Sequence, residues 1–259
     1  MEREIITEQV EIEVAGAAAP MTAYVARPSG EESHPPVLIG AELWGLTDEV
    51  RATARETAAL GYVAIAPHLY HRTDPDTDTG SAAGLAETQE NRERAFALVG
   101  QLTRGEVEAD LRAALGYARE HAGASGAAGM LGFSLGGHIA YFAASRLELA
   151  AAAVYYPGWL PVAGTALSRP EPLLAATDEI ARRDVRLLMF FAELDHVIDA
   201  AQRDEIGKAL DNAGVRHEVI TYPGAQHAFY FPGRPMHDAV AARDSWRRVR
   251  DLFAAELGT

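Results

Sequence analysis

The sequence contains no cysteine, which excludes disulfides, thiolate metal ligands and any redox chemistry that rests on a thiol. It also lacks any stretch approaching the roughly 18 apolar residues that span a bilayer. Its charged start, MEREII, has no apolar h-region behind it, so a cytoplasmic location is expected. Basic side chains are scarce beside acidic ones, 23 against 37, and a formal net charge of -14 repels phosphate backbones and anionic lipid. Neither nucleic acid nor a membrane is expected as a partner. The same field slows anionic substrates, so a bound acid requires a local cation. No internal repeat and no low-complexity linker interrupts the chain.

What is present suits a packed globular protein. At 259 residues, with 48% hydrophobic and 23% charged side chains, the chain is expected to form one domain, 1–259. After two strand-like runs, EQVEIEV (8–14) and MTAYVARP (21–28), short β-rich runs alternate with longer helical segments. The strand candidates are PVLIGAEL (36–43), YVAIAP (62–67), AAGMLGF (127–133), AAAVYY (151–156), VRLLMFF (185–191) and HEVITYP (217–223). Most are continuous apolar runs, as a sheet covered on both faces requires. Helical patterns fall at 47–60, 84–100, 106–121, 135–147, 199–213 and 237–257. Thr47 and Asp199 stand at helix starts as caps, and Gly214 reads as a stop. The alternation predicts an α/β fold with a mostly parallel central sheet and helices on both faces. The stretches 68–82 and 158–174 fit neither pattern and read as specificity loops.

The segment Gly132-Phe133-Ser134-Leu135-Gly136-Gly137 carries the chemistry. G-x-S-x-G alone is a weak signal, but here an apolar strand precedes it and the helical run HIAYFAASRLEL follows. A sharp strand-to-helix turn forces the serine into a strained backbone that only flanking glycines tolerate, and its hydroxyl then stands clear of the sheet. The pattern resembles the nucleophile elbow of the α/β-hydrolase fold, which is the fold expected here. The turn also places Ser134 at a helix N-terminus, where the Leu135 amide and the helix dipole stabilise an oxyanion.

A serine hydroxyl needs a base, and the base needs an orienting carboxylate. In this fold they follow in the order Ser, acid, His. Asp195, in FFAELDHVID, lies past the end of a strand, and His227, in YPGAQHAFY, lies in the loop after the last one. Asp199 competes as the acid, although its position suits a helix cap. Among other histidines, His196 shares the loop of Asp195, His138 lies four residues beyond Ser134 and reads as packing or solvent-facing, and His217 opens a strand.

The chain resembles the dienelactone hydrolase family over nearly its whole length, through AELWGLTDEVR (41–51), GYVAIAPHLYHR (61–72), GMLGFSLGGHIA (129–140), AELDHVI, GAQHAFY and RPMHDAVAARDSW. The resemblance implies that Glu42 matches the family's glutamate near the nucleophile. It also implies that the Leu43 amide joins that of Leu135 in the oxyanion hole. Glu42 equally suits a loop carboxylate bonding nearby amides.

Two departures alter what is carried over. The prototype enzymes have cysteine at the elbow, where this chain has Ser134. A serine hydroxyl does not ionise like a thiol, so His227 must act as an ordinary general base. The prototypes also hold a substrate carboxylate with two arginines. Arg92, in ENRERAF, matches the first, Phe231 stands in place of the second, and Arg234 follows three residues later. His68 stands where family members commonly carry aspartate. Trp44, Tyr155, Tyr156, Trp159, Phe229, Tyr230 and Phe231 suggest an apolar pocket or, as aromatic residues do more often, a core.

DPDTDTG (74–80) lacks the glycine and the final glutamate of a calcium loop, and His68 with His71 lacks a third ligand, so neither metal nor cofactor is expected. The sequence thus reads as a serine hydrolase of a small-molecule ester or lactone, with Ser134, Asp195 and His227 as the triad, Leu43 and Leu135 as oxyanion donors, and Glu42, Arg92, Trp44, Tyr156 and Phe231 toward substrate. Acyl transfer, carbon–carbon bond hydrolysis and a non-catalytic binding role on the same fold are the alternatives.

Overall fold

In the computed structural model, which describes residues 3–74 and 84–258, the continuous apolar runs become strands buried at every position. Pro36–Gly40 (β3), Val63–Pro67 (β4), Gly129–Phe133 (β5) and Ala151–Tyr155 (β6) all behave this way, because strands covered on both faces leave no place for alternating polar residues. The chain divides into two compact units, Met1–Gly129 and Met130–Gly258.

In the first unit, Ile5–Ile12 (β1) pairs antiparallel with Met21–Pro28 (β2), β2 pairs antiparallel with β4, and β4 runs parallel to β3. The strand order is β1-β2-β4-β3. β1 starts three residues before the expected 8–14 run because it pairs along the whole of β2, from Ile5 opposite Pro28 to Ile12 opposite Met21. Asp48–Ala59 (α1) starts at Thr47, whose side chain accepts from the Val50 amide. It buries Val50, Thr53, Ala54, Thr57 and Ala58, one stripe at helical spacing. The helix expected at 84–100 is confined to Gln89–Val99 (α2). Thr88 caps it by accepting from Asn91 N at 3.2 Å, and Gly84 takes φ +71, which helical backbone does not allow. Arg104–His121 (α3) closes the unit.

The second unit follows the order β5-β6-β7-β8, with Arg186–Ala192 (β7) parallel to β6 and to His217–Tyr222 (β8). β8 ends that order and is only half buried, as an outer strand with one face in water is. Leu135–Arg146 (α4) is buried from Leu135 through Ser145, so no face of it is left to solvent over that span. A 3-10 helix, Leu173–Ala176, and the short Thr177–Arg182 (α5) arise at the end of the expected 158–174 loop and just beyond it. Ala200–Ala213 (α6) ends at Gly214 in the left-handed conformation, and Ala239–Glu256 (α7) is capped by Asp238. Among the described residues no helix is long and apolar enough to cross a membrane. The strand, helix and cap pattern is that of an α/β-hydrolase.

Candidate active site

Three loops of the second unit, after β5, β7 and β8, carry Ser134, Asp195 and His227. The first is a turn that only glycine permits. A Cβ at Gly132 would lie 2.0 Å from the carbonyl oxygen of Gly136, and one at Gly137 would lie 2.5 Å from that of Tyr155. Ser134 between them has φ 51 and ψ -109, a strained position for a residue with a side chain. Its amide donates to Tyr155 O at 3.0 Å, and its carbonyl accepts from His138 N at 2.9 Å. The hydroxyl makes no helix-capping bond. It lies 3.0 Å from Nε2 of His227, with the N-terminus of α4 immediately behind it.

The second loop is built around a carboxylate with no side-chain exposure. Oδ1 of Asp195 accepts from the amides of Val197 at 2.8 Å and Ile198 at 3.2 Å, and Oδ2 lies 2.8 Å from Nδ1 of His227. An ionised carboxylate only accepts, so Nδ1 carries the hydrogen and Nε2 is left to accept from the Ser134 hydroxyl. Arg203 reaches back from α6 to donate to Ala192 O at 3.1 Å and Ile198 O at 2.9 Å, pinning both ends of this loop. Asp199, the competing acid, is engaged otherwise: its side chain accepts from Gln202 N at 2.8 Å in a capping box on α6.

His227 follows β8, in a loop tied to its neighbour by Leu194 N to Ala225 O at 2.9 Å and Glu193 N to Tyr222 O at 3.1 Å. Its ring meets Tyr156 edge-on at 5.0 Å and the exposed His196 at 5.6 Å. The next residues turn inward. Phe229, Tyr230 and Phe231 are buried, and Phe133, at the end of β5, packs on Tyr155, Tyr230 and Phe231 with centroids 4.7, 4.8 and 4.7 Å away. Tyr155, Tyr156 and Phe231 therefore form a core under the serine and histidine loops. Burial, and then Tyr230, push the Tyr155 phenol well above its usual value, so it stays neutral. Arg234 caps Phe231, its guanidinium 4.9 Å from the ring.

The other expected site residues belong to the first unit. Glu42, Leu43 and Trp44 occupy the turn after β3, with Glu42 and Trp44 buried, and the Leu43 carbonyl accepts from the Tyr70 hydroxyl at 3.1 Å. Arg92 is exposed on α2, with its guanidinium 5.6 Å from the Trp44 ring. The same unit holds a buried cluster whose pairing no local pattern marks. Asp110 on α3 accepts from Arg72 Nη1 at 2.6 and 2.7 Å and lies 3.1 Å from Nε2 of His71. His68 donates from Nε2 to Asp74 O at 3.0 Å. The DPDTDTG reading falls almost wholly on residues 75–83, outside the described residues. Among those described, no group of three or more His, Asp or Glu side chains is placed to hold a metal.

The chain is similar to known proteins over most of its length. The model of the dienelactone hydrolase family matches residues 21–257. The "Putative carboxymethylenebutenolidase" of Synechocystis sp. is 34% identical over 239 residues, covering 90% of this chain and 91% of its own. A protein of the same name from Salmonella typhi is 32% identical over 237 residues, covering 90% of this chain and 82% of its own. The crystal structure of a "Putative Dienelactone Hydrolase" from Klebsiella pneumoniae superposes with a TM-score of 0.83 at 27% identity, over 97% of this chain and 99% of that one.

Proposed function

Since the chain belongs to the dienelactone hydrolase family, we propose that its ester- or lactone-cleaving activity is carried by Ser134, His227 and Asp195 through an acyl-enzyme. The observation that carries this reading is the unbroken chain from Ser134 Oγ to His227 Nε2 at 3.0 Å and from Nδ1 to Asp195 Oδ2 at 2.8 Å. His227 takes the hydroxyl proton as Oγ attacks the carbonyl carbon. The oxyanion that forms meets the Leu135 amide and the positive end of α4. Collapse of this intermediate breaks the acyl–oxygen bond, and the leaving alcohol takes the proton from His227. Water then repeats the sequence on the acyl-enzyme and frees the acid, with Asp195 holding the imidazole in one tautomer throughout.

A single hydrolase domain belongs to this reading, because the family match runs from 21 to 257 through both units. So do a cytoplasmic setting and a small-molecule substrate. The chain's negative charge, and the packing of its one matching arginine, Arg92, against Trp44, favour a neutral ester or lactone.

A fluorophosphonate tests the assignment. It is expected to add to Ser134 in the wild type, with loss of p-nitrophenyl acetate hydrolysis, and Ser134→Ala is expected to lose both labelling and roughly 10³-fold or more of turnover. A folded Ser134→Ala protein keeping more than about a tenth of wild-type turnover sinks the assignment.

A further inference from the structure

The segment after β6 holds left-handed backbone at two residues that are not glycine, Tyr156 with φ 35 and Trp159 with φ 62. Such a conformation persists only where its surroundings over-determine it. This segment and the residue before it border all three members of the Ser–His–Asp chain. The Tyr155 carbonyl receives the Ser134 amide, and the Tyr156 ring stands against His227. Gly158 approaches the acid loop so closely that a Cβ there would lie 3.3 Å from Cγ1 of Val197, the residue whose amide donates to Asp195.

One buried side chain links this segment to the nucleophile's own helix. His138 is fully buried on α4, its amide donates to Ser134 O, and its Nδ1 lies 2.8 Å from Gly158 O. A carbonyl only accepts, so Nδ1 carries the hydrogen. The ring also meets Trp159 edge-on at 6.2 Å. Ser168 ties the same segment from the other side, donating to Trp159 O at 2.7 Å, so the loop stays attached when the histidine bond is lost.

We propose that His138 is a positioning residue whose Nδ1–H bond to Gly158 holds the strained Tyr156–Trp159 segment and thereby sets the His227 ring against Ser134. The inference rests on the triad reading above. It acts on turnover more than on binding, because a misplaced base slows proton transfer while leaving the substrate-contacting surface unchanged.

The deciding pair is His138→Asn and His138→Gln. Asparagine places an amide N–H near the position of Nδ1, whereas glutamine places it near Nε2, out of reach of Gly158. With p-nitrophenyl acetate, His138→Gln is expected to lose about 10-fold or more in kcat with KM within about twofold, and its fluorophosphonate labelling is expected to slow in parallel. His138→Asn is expected to stay within about threefold of wild type on both measures. Thermal melts of both variants confirm folding before kinetics are compared. Wild-type kcat in His138→Gln overturns the proposal, as does an asparagine variant impaired as much as the glutamine one. Ser134→Ala, run alongside, separates the two readings. If it is inactive while His138→Gln is normal, only the positioning role fails, and if it is active, the triad reading fails first.

Discussion

The amide of Val197 donates to Oδ1 of Asp195 at 2.8 Å, and this bond leaves Oδ2 directed at the His227 ring 2.8 Å away. The carboxylate is thus oriented by its own backbone, two residues downstream. Asp199, four residues along the same loop, spends its side chain on Gln202 N. Asp195→Asn is therefore expected to lower kcat by about 10³- to 10⁴-fold, because an amide at that position accepts or donates in the wrong sense. Asp199→Ala is expected to leave kcat near normal and to cost about 1 kcal/mol of stability, read from denaturant melts. The opposite ranking in turnover reassigns the acid.

Strain at the elbow gives a second expectation. Ser134 at φ 51 holds a conformation costing about 1–3 kcal/mol for a residue with a side chain, and glycine adopts it freely. Ser134→Gly is expected to melt about 2–4 °C above wild type, with Ser134→Ala gaining nothing comparable. Equal melting temperatures for the two variants refute stored strain at this position.

The flanking glycines behave in the opposite way. At Gly132 an added Cβ meets backbone at 2.0 Å, which no side-chain rearrangement relieves, whereas at Gly207 in α6 it meets nothing within 4 Å. Gly132→Ala is expected to cost about 3 kcal/mol or more and to abolish hydrolysis. Gly207→Ala is expected to gain about 0.5–1 kcal/mol with normal activity. Chemical denaturation of the pair reads both signs.

The setting of Arg92 gives an expectation for substrate charge. A charge-assisted contact to a carboxylate is worth about 1.5–3 kcal/mol, but this guanidinium is exposed, rests against Trp44 and sits in a chain of net charge -14. Neutral esters or lactones are expected to show higher kcat/KM than an anionic dienelactone at matched pH and salt. A dienelactone preference in the wild type that collapses in Arg92→Ala defeats this expectation.

Acid sensitivity has one traceable source on α7. Asp244 is held at about 2, first by its hydrogen bond to Arg248, then by Arg247, with Tyr222 adding a third. A carboxyl depressed in the folded state contributes stability above its ordinary value of about 3.9 and loses it as pH falls toward about 2. The side chain is 32% exposed, so screening keeps the effect small. Asp244→Asn is expected to melt about 1–3 °C below wild type from pH 5 to 8, with the gap closing below about pH 4. A gap independent of pH assigns the loss to something other than charge.

Periodicity and local punctuation made much of this molecule legible in advance. MTAYVARP coincides with β2, and Ser134, Asp195 and His227 meet as their places after β5, β7 and β8 implied. Features resting on distant pairing were hidden. His71 and Asp110 are 39 residues apart, one in a loop and one within an ordinary amphipathic helix, and no local pattern joins them. The bonds of Arg203 to two loop carbonyls leave no mark in the local sequence, where it is one charged helix residue among several. His138 was open between packing and solvent because α4 is buried on every side, which erases the stripe that would have told one face from another. The six residues of α5 were too few to show a period.

The three aromatic side chains at 229–231 bear on how such an enzyme diversifies. His227 is followed almost at once by residues buried in the same core as the end of β5, so changes there disturb His227 and Ser134 together. The segment around Asp195 is held by main-chain amides, which every amino acid but proline supplies. Position 196 is accordingly the one at which libraries can vary a side chain beside His227 while Asp195 keeps its hydrogen bonds, because His196 is exposed, whereas Val197 packs toward Gly158 and Ile198 is buried.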